Sequence, residues 1–199
     1  MKKIAFSTRY GLEQAVIAGT KTMTRRIVPE STLRMAKMEV DIHGGDLLER
    51  IKDHSLYLWR DEVAIAQSYK SIVEQDPKND YGNYYIKQFM YTPAWTNKMF
   101  VKANFMPHRI RITDIRVERL QDITDEDCMK EGIEEEGFRG EYRWGFYTGF
   151  FTTNRGQGCK SVWFNSPQKA FADLINRISC RDTWQRNPWV FVYKFELIK

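Results

Sequence analysis

From Val63 to Tyr69 the chain reads Val-Ala-Ile-Ala-Gln-Ser-Tyr, and no charged residue interrupts it. In an extended segment, Val63, Ile65, Gln67 and Tyr69 share one face, while Ala64, Ala66 and Ser68 share the other. A strand over 62–69 with two uncharged faces belongs inside the protein, covered on both sides. Gln67 would then be a buried amide, which needs hydrogen-bond partners or a ligand. Whatever fold the chain takes must build around this strand.

The remaining elements are short and do not alternate regularly. A strand at 3–7 leads into a helix at 12–18, with Gly19 as its C-terminal cap. Thr22, Thr24, Ile27 and Val28 favour extended structure that Pro29 ends. Residues 30–58 are mixed and polar, with a turn at His43-Gly44-Gly45-Asp46, and 70–98 read as an excursion from the core. Strand character resumes over 98–103. It is clearest over 109–120, where Ile110 and Ile112 are followed by Ile115 and Val117 one step out of phase, as a bulge near Thr113-Asp114 would produce. Arg109, Arg111 and Arg116 then point outward, the pattern of a strand with one wet face.

Thr124 caps a short helix with acids in its first turn, closed by Gly132. Residues 132–158 hold seven of the twelve glycines among Phe138, Tyr142, Trp144, Phe146, Tyr147, Phe150 and Phe151. They read as a long aromatic connection: a lid, a packed surface loop or an interface with a second copy. Ser166-Pro167 opens a helix to about Ile178. Trp189, Phe191, Tyr193, Phe195 and Leu197 make one apolar face of a closing strand. Strands that do not alternate with helices argue against a doubly wound sheet and for an α+β fold, a small mixed β-barrel decorated with short helices.

A length of 199 residues suits a single domain. No apolar run reaches the roughly 18 residues of a membrane span, and no signal peptide is expected. Cys128, Cys159 and Cys180 form no CxxC pair, and His43, His54 and His108 share no ligand spacing, so neither a metal nor a cofactor is expected. A reducing cytoplasm is the expected location. The net charge of +5 is compatible with a polyanionic partner without requiring one.

Gly19-Thr20-Lys21-Thr22-Met23-Thr24-Arg25-Arg26 is the chemically densest segment. Lysine, hydroxyls and two arginines follow directly on a helix. Exposed, they would attract an anion such as a phosphate or serve acyl transfer; as a solvated basic strand they would do neither.

The helix running into Gly19-x-Lys21-x-x-Thr24-x-Arg26 resembles the ASCH domain, a relative of the PUA fold, with the closest likeness to ASCH-like proteins of phages and gut bacteria. Four further segments carry the resemblance in order: the strand at 62–69, Met106–Ile123 with the acidic helix start, Ser166–Asn176, and Asn187–Val192. Insertions at about 30–58, 70–98 and 134–160 fall outside it. The resemblance implies one domain over 1–199, a PUA-like barrel, and a cleft where 21–26 meets 62–69. PUA relatives bind RNA or modified nucleotides, and some small ASCH proteins hydrolyse the amide of N4-acetylcytidine with a lysine, a threonine and a glutamate. Lys21 and Thr24 match the first two, and Gln67 stands where that resemblance expects the glutamate. An amide cannot exchange a proton as a carboxyl can, which typically costs roughly 100- to 10,000-fold in rate.

The first expectation is therefore an RNA- or nucleotide-binding module. Lys21, Arg25 and Arg26 meet phosphate, Thr22 or Thr24 hydrogen-bonds it, Gln67 reads a base edge, and Tyr69 or Trp189 stacks. The alternative is an impaired amidohydrolase on an acylated nucleoside, with Thr24 as nucleophile and Lys21 as base. An RNA-directed nuclease or phage-borne regulator is a third reading. It lacks a carboxylate cluster, since Glu134-Glu135-Glu136 reads as a solvated turn.

Overall fold

The computed structural model describes residues 1–75, 80–138, 141–153 and 156–198, with backbone alone at 80, 81, 83, 138, 141, 149–153 and 156–159. In chain order the elements begin with β1 (Lys3–Ile4), α1 (Leu12–Ile17), β2 (Met23–Ile27), α2 (Glu30–His43) and α3 (Leu47–Asp53). Next come β3 (Glu62–Ile65), α4 (Tyr69–Gln75), α5 (Asp80–Lys87), β4 (Arg109–Arg119) and α6 (Asp125–Lys130). The last are β5 (Glu134–Phe138), β6 (Glu141–Thr153), β7 (Gly156–Phe164), α7 (Pro167–Ile178), α8 (Thr183–Arg186) and β8 (Trp189–Ile198). The fold is mixed α+β. Among the described residues the barrel does not close: the eight strands form a five-stranded sheet of β1, β2, β3, β4 and β8 and a three-stranded one of β5, β6 and β7.

Two compact units divide the chain. The first comprises Met1–Phe6, Asp61–Arg111 and Leu197–Lys199. Here β3 pairs in parallel with β1 and antiparallel with the start of β4, with Val63 opposite Ile110. Val63, Ala64, Ile65, Ala66 and Gln67 are all buried, as the uncharged run requires. The strand is shorter than expected, however. It ends at Ile65, and Ser68 Oγ accepts from the Ser71 amide at 3.1 Å, turning the chain into α4. Residues 98–103 also depart from the expected strand: they fold as 3-10 turns at Lys98–Phe100 and Ala103–Phe105. Asn97 explains the first, because its side chain accepts from the Met99 amide and caps the turn. Ala64, Ala66, Tyr69, Ile72, Ala94, Val101 and Met106 make this unit's core. Lys3 Nζ donates to the carbonyls of Met99 and Val101 at 2.6 and 3.1 Å, and Lys98 Nζ donates to that of Phe6.

The second unit comprises Ser7–Arg60 and Ile112–Glu196. β2 runs antiparallel to β8, with Thr24 opposite Tyr193 and Arg25 opposite Val192. Val190 to Tyr193 are buried without a break, so β8 is covered on both faces, not one. Residues 30–53, polar and without a clean apolar stripe, form α2 and α3; the run of Leu, Arg, Met, Ala, Lys and Glu favours helix by propensity alone. The phase slip in β4 is present: Ile112 and Ile115 are buried while Thr113 and Asp114 are both exposed.

The stretch expected to be an aromatic connection is instead the antiparallel meander β5–β6–β7, and Glu134-Glu135-Glu136 is strand, not turn. Gly145 serves a close approach of β6 to β7. A Cβ at Gly145 would lie 2.1 Å from the Val162 carbonyl oxygen. The expectations for the side chains of Phe138, Phe150, Phe151 and Cys159 lie outside the described residues. α7 is as expected, with Ser166 accepting from the Lys169 amide and Ala170, Phe171, Leu174 and Ile175 buried at helical spacing.

Candidate functional site

Gly19, at φ +78°, ends α1 in the left-handed region, where glycine carries no Cβ penalty. Its turn lets Thr20 and Lys21 amides both donate to the Ala15 carbonyl, at 2.9 and 3.0 Å. The Thr22 amide then donates to Lys130 O, and its carbonyl accepts from Phe195 N. Lys21 is thereby held between β2 and the end of α6.

That helix end is equally constrained. Thr124 Oγ1 accepts from the Asp127 amide at 3.2 Å, fixing the start of α6. Asp127 and Glu131, one turn apart, then lie on one face. Gly132, at φ +97°, stops the helix, and a Cβ there would meet Leu12 at 3.1 Å and the Lys21 stem at 3.5 Å. The positive φ and the closeness of Leu12 favour glycine there, while the Lys21 stem lies at ordinary contact distance.

Lys21 Nζ donates to Glu131 Oε2 and to the Glu131 carbonyl, both at 2.6 Å. Arg25 Nη1 donates to Glu131 Oε1 at 3.2 Å, so each carboxylate oxygen faces a different cation. Arg25 also donates to Glu118 Oε1 at 2.6 Å and Asp127 Oδ2 at 3.0 Å. Arg116 donates to Glu118 Oε2 at 2.8 Å and to Asp127 Oδ2. Lys130 Nζ also lies 3.6 Å from Asp127 Oδ1, so four cations and three carboxylates share one cluster among the described residues, with Lys21 2% and Arg25 5% exposed. Desolvation drives the Lys21 ammonium below its ordinary pKa, although Glu131 opposes the shift. Burial works against Arg25 as well, but Glu131 and Glu118 outweigh it and hold its pKa above the usual value. For Asp127, burial is outweighed by hydrogen bonds and charge from Arg25 and Arg116, and the carboxyl falls below the normal range.

The basic segment is therefore not the open anion-attracting surface expected from its composition. Lys21, Thr24 and Arg25 are buried, and Arg116, expected to face outward, joins the cluster. Alternation along β2 sets Thr24 and Arg26 on the opposite face from Met23 and Arg25. Thr22 and Arg26 are half-buried. The positive charge of Arg26 reaches the phenols of Tyr57 and Tyr193, both raised in pKa chiefly by burial. Trp189 carries the Arg119 guanidinium 4.1 Å above its ring.

Gln67 and Tyr69 belong to the first unit. Gln67 Nε2 donates to Gln75 Oε1 at 2.8 Å, while Gln67 Oε1 has no partner. Tyr69 stacks on Phe89 with centroids 4.8 Å apart. The carboxylate that meets Lys21 is Glu131, which the sequence reading passed over. Its signal was the Asp127/Glu131 spacing on a capped helix ending in glycine.

No group of three or more His, Cys, Asp or Glu able to hold a metal occurs among the described residues, and no helix there is long and apolar enough to cross a membrane. No family model, curated protein or solved structure significantly matches this chain.

Proposed function

We propose that the second unit carries an acyl-amide hydrolase centre acting on an acylated nucleoside such as N4-acetylcytidine, on an ASCH-like, PUA-related scaffold. The observation that carries the reading is the Lys21–Glu131 pair, a desolvated amine 2.6 Å from a carboxylate. Burial lowers the Lys21 pKa and so raises the share of the amine able to take a proton. In this reaction a water oxygen adds to the acyl carbonyl as one of its protons passes to Lys21, and Thr24, on the opposite face of β2 from Arg25, takes no part. The C–N bond breaks as that proton reaches the leaving amine, and the amine and acetate depart. Glu131 holds the Lys21 amine in place by accepting its hydrogen bond at 2.6 Å. Because Lys21 is 2% exposed, turnover requires the cluster to open.

Phosphate binding by the same segment draws less support, since Glu131, Glu118 and Asp127 already match the charges of Lys21 and Arg25. Incubation with N4-acetylcytidine, followed by chromatography, should yield cytidine and acetate. Lys21→Ala and Glu131→Gln should each lower the rate at least about 100-fold while circular dichroism shows the fold retained. No cytidine after prolonged incubation at high enzyme concentration would remove the proposal.

A further inference from the structure

The first unit holds a cavity of about 380 Å³ whose lining includes Tyr69, Phe89, Phe100, Phe105 and Lys102. Its volume lies within the roughly 300–1,000 Å³ of small-molecule sites. Tyr69 and Phe89 stack on each other as an inner wall, and Phe105 stands edge-on to Tyr69 with centroids 6.1 Å apart. Phe100 and Phe105 form the outer wall and remain 63% and 47% exposed. Two phenylalanines left in water beside a cavity mark surface that a ligand could cover.

Aromatic walls receive either a cation or a flat ring. The rest of the lining decides between them. It contains no carboxylate, and its charged member is Lys102, which would repel a cation and attract an anion. We infer that this cavity binds a nucleobase bearing a phosphate, the base stacked on Phe100 and Phe105 and the phosphate at Lys102. The ligand is either a free mononucleotide or an unpaired residue of a single strand, since the chemistry is shared. The inference is independent of the hydrolase proposal: it concerns other residues in the other unit.

The test is calorimetric titration of the full chain with AMP, adenosine, choline and a twelve-nucleotide single-stranded oligoadenylate. AMP should bind more tightly than adenosine. Phe105→Ala should weaken AMP about 5- to 150-fold, the range set by one stacked base, and Phe105→Tyr should retain binding. Lys102→Gln should weaken AMP but not adenosine. The exposed position of Phe105 keeps the fold intact in these variants. An oligonucleotide preferred at least tenfold over AMP identifies strand binding, and equal affinity identifies the free nucleotide; either outcome upholds the inference. No binding of AMP or oligonucleotide at millimolar concentration, an AMP affinity untouched by Phe105→Ala, or a preference for choline would overturn it.

Discussion

The second unit surrounds Lys21 and Arg25 with carboxylates, whereas the first leaves Lys102 beside four aromatic rings with no acid in the cavity lining. The same residue chemistry has opposite meanings in the two places. Around Lys21 the positive charge is spent on partners more than ninety positions away in sequence, Glu118, Asp127 and Glu131. At Lys102 it is available to a visitor. A count of basic residues in a segment therefore says little about anion binding until the acids that fold onto it are known.

The hardest way to break this contrast is to unbalance the cluster. Glu131→Ala leaves Lys21 and Arg25 buried against a missing charge and should cost about 3–5 kcal/mol in urea denaturation. The double change Lys21→Met with Glu131→Leu should recover most of that stability, because a buried ion pair exchanged for apolar groups is often neutral. It should recover no hydrolase activity. If the single and double variants were equally unstable, the charges would not be what matters there.

Smaller effects sharpen the same comparison. Thr124→Ala removes the cap that aims Asp127 and Glu131, and about 1 kcal/mol should be lost. For Asp127 the sign follows from its lowered folded pKa. The unfolded chain binds more protons near the ordinary value of 3.8, so the stabilisation is full above that pH and is lost as pH falls through and below it. Asp127→Asn should flatten the acid limb of a stability-versus-pH curve, and an unchanged limb would separate Asp127 from acid sensitivity. Phe105→Ala at the first unit's cavity removes a half-exposed ring edge-on to Tyr69 and should cost about 1 kcal/mol of stability while altering nucleotide affinity.

Much of the fold was legible where local physics decides it. Thr124, Ser166, Gly19 and Gly132 marked helix ends correctly because capping is a short-range effect. The uncharged run at 63–67 marked an interior strand because burial leaves no alternative. Reading failed where distant contacts decide. Alternation extended β3 to Tyr69, but Ser68 caps α4 first. Glycine-rich 132–158 looked like a loop because glycine is poor in strands, yet Gly145 is required where β6 meets β7. The partner of Lys21 was not legible, because Glu131 lies 110 residues away in sequence.

The lysine contacts of the first unit carry a practical lesson. Lys3 and Lys98 tie the turn beside the aromatic cavity to the chain's opening residues by ammonium–carbonyl contacts. Acetylating Lys3 would erase the ammonium that fastens Met99 and Val101, slackening the segment that presents Phe100. A modification at position three would thus be felt at a surface formed almost a hundred residues later, and labelling chemistry aimed at amines should be kept away from any measurement of that cavity.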